Sequence, residues 1–137
     1  MYENKLRLTV ASILIFGHVI TFGTLIYLWH RGGFLFDEMV TVFAIMAPLF
    51  AAYTAISIKY VFRTAALRRR GKRWNIVSVS VALLFPLAFL SLVNGLLFSK
   101  AFGALSDFDN VVRAFGLIET GFAAYVGQVV NQLLSDD

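Results

Sequence analysis

The chain has 137 residues, 59% of them hydrophobic and only 15% charged, with no cysteine and a net charge of +4. Soluble domains carry about 25% charged residues, so this composition points away from a soluble fold, and the length leaves no room for a second sizeable domain. Without cysteine there is no disulfide framework, thiolate metal site or cysteine nucleophile.

Lys5 and Arg7 open the chain, and an uncharged apolar run follows over 8–29. The hydrocarbon core of a bilayer takes about 20 residues of helix at ~1.5 Å rise each, so the run predicts a membrane span. It outlasts the apolar stretch of a cleaved signal and closes on Tyr27, Leu28, Trp29 and His30 with no small-residue cleavage site. It is therefore expected to be retained as an anchor. Tyr27 and Trp29 suit a membrane interface. His18 lies mid-span with Gly17, Thr21 and Thr24 on its side of the helix. It reads as a histidine hydrogen-bonded within a bundle or as a pore-facing, proton-sensing group.

His30-Arg31-Gly32-Gly33 forms a helix stop, and Asp37 and Glu38 suit the first turn of the next helix. The second span is predicted over 39–62. Within it Ala47, Ala51 and Ala55 repeat at four-residue spacing, flanked by Thr41, Ala44, Pro48 and Ala52. Small residues let helix backbones approach closely, so this ridge is expected to meet another helix, in the same chain or in a second copy. Pro48, and Pro86 in the third span, read as packing features or as hinges.

Seven basic residues fall between Lys59 and Arg73, and no acidic residue lies between Glu38 and Asp107. By the positive-inside rule the loop after the second span is cytoplasmic, which places Lys5 and Arg7 on the same side. Arg68, Arg69, Arg70, Lys72 and Arg73, followed by Trp74, admit two readings. One is a topology signal touching anionic headgroups. The other is a site for an anion, a nucleotide or nucleic acid, with arginine planes and an indole ring for stacking.

The third span is predicted over 75–98 and carries Ser78, Ser80, Ser91 and Asn94. Ser106 with Asp109 resembles a helix N-cap, opening a fourth helix over 111–134. Its apolar positions Val111, Phe115, Ile118, Phe122, Val126, Val129 and Leu133 follow the helical period. A thin opposite stripe holds Arg113, Gly116, Thr120, Ala124, Gly127 and Asn131, with Glu119 and Gln128 at its flanks. A surface-lying helix has a broader basic face, which favours a fourth span. His18, Asn94, Arg113, Glu119, Thr120, Gln128 and Asn131 are thus candidates to line a pore or form a polar cluster. A carboxylate such as Glu119 should face water or a partner, with Asn94, His18 or another subunit as the options.

The predicted fold is an all-α membrane protein: one domain over 1–137 that forms a bundle of four transmembrane helices. The alternative is three transmembrane helices plus a C-terminal amphipathic helix. The sequence carries no internal repeat of the inverted-transporter kind. It also lacks a Gly-rich phosphate loop, a metal-type His/Glu pair and a nucleophile elbow, so no enzyme activity, metal or cofactor is expected.

The layout resembles the small multi-pass effectors of bacterial anti-phage defence, including the Hailong type. The resemblance lies in the short N-terminus expected to be cytoplasmic, the three or four spans, the basic stretch from Arg63 to Arg73 expected on the same side, and the run Met46-Ala47-Pro48-Leu49-Phe50-Ala51-Ala52-Tyr53-Thr54. It implies a homo-oligomeric pore in the bacterial inner membrane, held or triggered by an oligonucleotide or nucleotide signal. Four copies are the first expectation for the oligomer, and a partner protein is a further expected contact. A small transporter and a holin-like or structural subunit are the competing functions.

Overall fold

A computed structural model of the chain describes residues 3–66, 75–125 and 127. It holds helices α1 (Glu3–His30), α2 (Phe36–Ala66), α3 (Ile76–Ala101) and α4 (Phe108–Tyr125) and, among the described residues, no strand. The all-α expectation is met. Two of the helices, Leu8–His30 in α1 and Val79–Ala101 in α3, are long and apolar enough to cross a bilayer. A core helix of a soluble protein passes the same test but is mostly buried. Here only 33% and 28% of the respective apolar windows are buried, and Phe16, Ile20, Ile26, Leu84 and Leu92 point outward.

α2 runs past the predicted 39–62 at both ends. Lys59 and Arg63 leave the apolar stretch, yet both are good helix formers, so charge ends the hydropathy signal without ending the helix. The predicted span 111–134 begins inside α4, and its residues 126 and 128–134 lie outside the described residues.

The turns after α1 and α3 are built alike. Gly32 and Gly103 take left-handed backbone angles, with φ of 81° and 77°. The Gly33 N–H reaches back to Leu28 O and the Ala104 N–H to Ser99 O, each at 2.9 Å. These are Schellman-type closures, in which glycine relieves the steric cost of the left-handed residue. Glu38 ties the two turns together. Its Oε1 pairs with Lys100 Nζ at 3.0 Å, and its Oε2 accepts the Leu35 N–H at 2.9 Å. Lys100 also sits 5.7 Å from the centre of the Phe108 ring.

The N-cap of α4 is Asp107, one residue beyond the predicted Ser106. Asp107 Oδ1 accepts the Asp109 N–H at 3.0 Å, and Oδ2 accepts from Asn110 Nδ2 at 2.9 Å. Because the helix starts at Phe108, the residue just before it is the one whose side chain reaches the second helical N–H.

α1 packs on α2 and α3, and α4 packs on the same two helices. The order around the bundle is therefore α1–α2–α4–α3, with α1 and α4 on opposite sides. Leu14, Leu25, Val42, Met46, Val93, Leu97, Phe115 and Phe122 fill the space between them. Both prolines lie inside continuous helices. Pro86 has no N–H to offer the carbonyl of Ala82, one turn earlier. The Tyr125 hydroxyl of α4 donates to that oxygen at 3.0 Å instead.

Candidate functional site

The middle of the bundle is not purely apolar. His18, Thr21 and Glu119 are buried there, and Asn94 is half-buried. Counted from the two turns at ~1.5 Å per residue, Asn94 lies ~11 Å deep, Thr21 ~14 Å, Glu119 ~17 Å and His18 ~18 Å. The four side chains thus occupy one narrow layer, contributed by α1, α3 and α4.

Most of the layer is satisfied locally. His18 Nδ1 lies 2.7 Å from Leu14 O. A carbonyl can only accept, so Nδ1 carries the hydrogen. The His18 ring stacks on Phe50 of α2 at 5.3 Å between centres, and faces Phe89 of α3 at 5.9 Å and Phe122 of α4 at 6.5 Å. Phe89 and Phe122 stack on each other at 3.7 Å. An aromatic box drawn from three other helices therefore encloses the histidine. Next to it, the Thr21 hydroxyl donates to Gly17 O at 2.9 Å and accepts from Asn94 Nδ2 at 2.9 Å. The second Asn94 Nδ2 hydrogen goes to Leu90 O at 2.8 Å. The Asn94 amide group thus spends both hydrogens without reaching Glu119.

Glu119 is the exception. It is 4% exposed, and neither carboxylate oxygen has a hydrogen-bond partner. It shares the buried face of α4 with Val111, Phe115, Phe122 and Tyr125. Thr54 Oγ1 on α2 is likewise buried without a partner. Among the described residues no group of three His, Cys, Asp or Glu side chains is arranged to hold a metal ion.

The sequence-predicted cluster is divided by this arrangement. His18, Asn94 and Glu119 are drawn inward, whereas Arg113 and Thr120 are exposed on another face of α4, where the Thr120 hydroxyl donates to Gly116 O at 2.7 Å. Gln128 and Asn131 lie outside the described residues, as do Arg68, Arg69, Arg70, Lys72, Arg73 and Trp74. Ala47, Ala51 and Ala55 are exposed, so among the described residues nothing covers the small-residue ridge of α2. The Tyr125–Ala82 and Glu38–Lys100 contacts are among those that escaped the sequence reading. Tyr125 on Ala82 had a signal in Pro86, which marks a carbonyl in need of a donor. The Glu38–Lys100 pair had only the isolation of Lys100 in an apolar context.

No protein-family model, curated protein or solved structure matches the chain.

Proposed function

We propose that this chain is a multi-pass protein of the bacterial inner membrane, with four spans and a cytoplasmic N-terminus, and that copies of it assemble into a channel or pore. The supporting observation is how the faces are distributed. Among the described residues the His18, Phe50, Phe89 and Phe122 rings fill the centre of a single bundle, which argues against a water path along its axis. The small ridge Ala47, Ala51 and Ala55 and the polar positions Arg113 and Thr120 instead face outward. A water path then belongs between copies, around a symmetry axis. α2 supports the spanning reading, since its 31 residues make ~46 Å of helix, more than the ~30 Å hydrocarbon core, and it is uncharged from Met39 to Ile58. The basic loop 67–74 then sits at the cytoplasmic mouth of the oligomer, where an oligonucleotide or nucleotide signal gates it in anti-phage defence, as the Hailong-type layout suggests.

Purified protein in planar bilayers tests this. Discrete single-channel conductance is the expected result. Coupled flux without discrete openings would move the reading to a small transporter, for which the buried carboxyl of Glu119 is the one supporting observation. Electrical silence would leave a holin-like or structural subunit.

A further inference from the structure

A carboxyl group buried in an apolar bundle without a single hydrogen-bond partner calls for a physical account. Glu119 is 4% exposed, both its oxygens are unpartnered, and it lies on the face of α4 that packs against α2 and α3. An ionised carboxylate in that position would be an uncompensated charge, one of the costliest groups to bury. The neutral acid loses far less, because only a dipole is left unsatisfied.

We propose that Glu119 is a proton-binding site that locks α4 into the bundle: with the proton bound the helix packs as described, and release of the proton to water frees α4 from α2 and α3. Only the carboxyl O–H bond is made or broken. The charged groups on the neighbouring helices are too far along their axes to compensate. On α2, Asp37 and Glu38 lie in the first turn and Glu38 is paired with Lys100, while Tyr53, Lys59, Tyr60 and Arg63 follow towards the other end. On α3, no titratable residue occurs over 76–99, and Lys100 sits in the last turn. On α4 itself, Asp109 and Arg113 are exposed, and the Tyr125 hydroxyl is engaged with Ala82 O. On α1, Glu3, Lys5, Arg7, Tyr27 and His30 lie towards its two ends, Arg31 follows just beyond it, and His18 is the titratable group at the depth of Glu119. The two respond to pH with opposite sign. Histidine gains charge as pH falls, and glutamate gains charge as pH rises. A bundle loosened at high pH therefore identifies Glu119.

Thermal unfolding of the full chain in lipid nanodiscs tests the lock without requiring conduction, so its outcome is independent of the channel reading. Between about pH 5 and about pH 8 the midpoint of the parent should fall by ~5 °C, and that of Glu119→Gln should stay level. The amide matches the neutral acid in shape and cannot lose a proton, so a Glu119→Gln chain that fails to fold would overturn the proposal. So would a level profile in the parent, or an equal fall in both. A second readout uses the absence of native cysteine. Val111 is fully buried on the same face of α4. A thiol placed there by Val111→Cys should react with maleimide about tenfold faster at about pH 8 in the parent background than in Glu119→Gln at the same pH. Equal rates would show that ionisation of Glu119 does not move α4.

Discussion

Gly33 sits where no side chain fits. A Cβ there would lie 2.6 Å from the Cβ of Ala101, 3.0 Å from its Cα and 3.2 Å from Leu28 O. Two of those three atoms are backbone, so the neighbours cannot step aside by changing rotamer. Gly33→Ala should push the α1–α2 turn off the end of α3 and lower the unfolding free energy by about 1–3 kcal/mol, measured by circular dichroism in detergent. Gly17 is different, because a Cβ there meets the methyl ends and Cγ of Leu90, a side chain with some freedom to turn. Tyr125 makes a separable contribution through its hydroxyl. Tyr125→Phe keeps the ring stacked near Phe85, 4.4 Å away, but strips the buried carbonyl of Ala82 of its donor. The expected loss is about 1–3 kcal/mol. Adding Pro86→Ala should restore part of it, since the new backbone N–H can serve the same carbonyl. A double-mutant cycle in which the two losses simply add would refute that coupling. At this scale the sequence was only partly legible. His18 and Glu119 stood out as ionisable groups in apolar runs. The Thr21–Asn94 bond, 73 residues apart, did not, because which faces of two helices meet depends on a rotational phase that one helix's periodicity does not contain.

The helices themselves were the most legible feature, because uncharged runs of about 20 residues leave few other structures open to the chain. Their ends were less so. Asp107 displaced Ser106 as the cap of α4 by one residue, and α2 outran its apolar stretch through Lys59 and Arg63. What each helix face does divides more finely. α4 buries Val111, Phe115, Glu119 and Phe122 and exposes Arg113, Thr120 and Ala124, so its amphipathic pattern is real, but its one acidic mid-helix residue sits on the inner side. On α2 the ridge Ala47, Ala51 and Ala55 was expected to meet a helix, and none among the described residues covers it. If copies meet along this ridge, Ala51→Phe should reduce the oligomer measured by multi-angle light scattering in mild detergent, while helix content stays unchanged. An unaltered oligomer would move the contact to another face. A monodisperse monomer of the parent in both detergent and lipid, with conductance intact, would rule out assembly as the source of the pore.

Seen whole, the bundle has the turns after α1 and α3 at one end. The Gly33, Glu38 and Lys100 contacts hold that end together, and α2 and α3, which flank the basic segment in sequence, stand on opposite corners of the bundle. That segment carries Arg68, Arg69, Arg70, Lys72 and Arg73. In a symmetric oligomer these charges would gather around the axis and multiply a weak single-site attraction for a polyanion. Two accounts of the loop then make different forecasts for the same variant. If the loop serves as a gate for an oligonucleotide or nucleotide, replacing Arg68, Arg69 and Arg70 with glutamine should leave the protein inserted and oligomeric. Oligonucleotide binding, which in the parent should weaken steeply as salt is raised, should then be lost. If the loop serves only to touch anionic headgroups, the variant should weaken binding to anionic lipid and disturb orientation while any ligand response persists. Gating demands more than binding, because a ligand shifts a conformational equilibrium only through a difference in affinity between the two states. The decisive measurement is therefore the effect of an oligonucleotide on open probability at fixed low salt. A parent that binds no oligonucleotide or nucleotide there returns the loop to a topology signal and leaves the pore, if conductance is seen, under some other control.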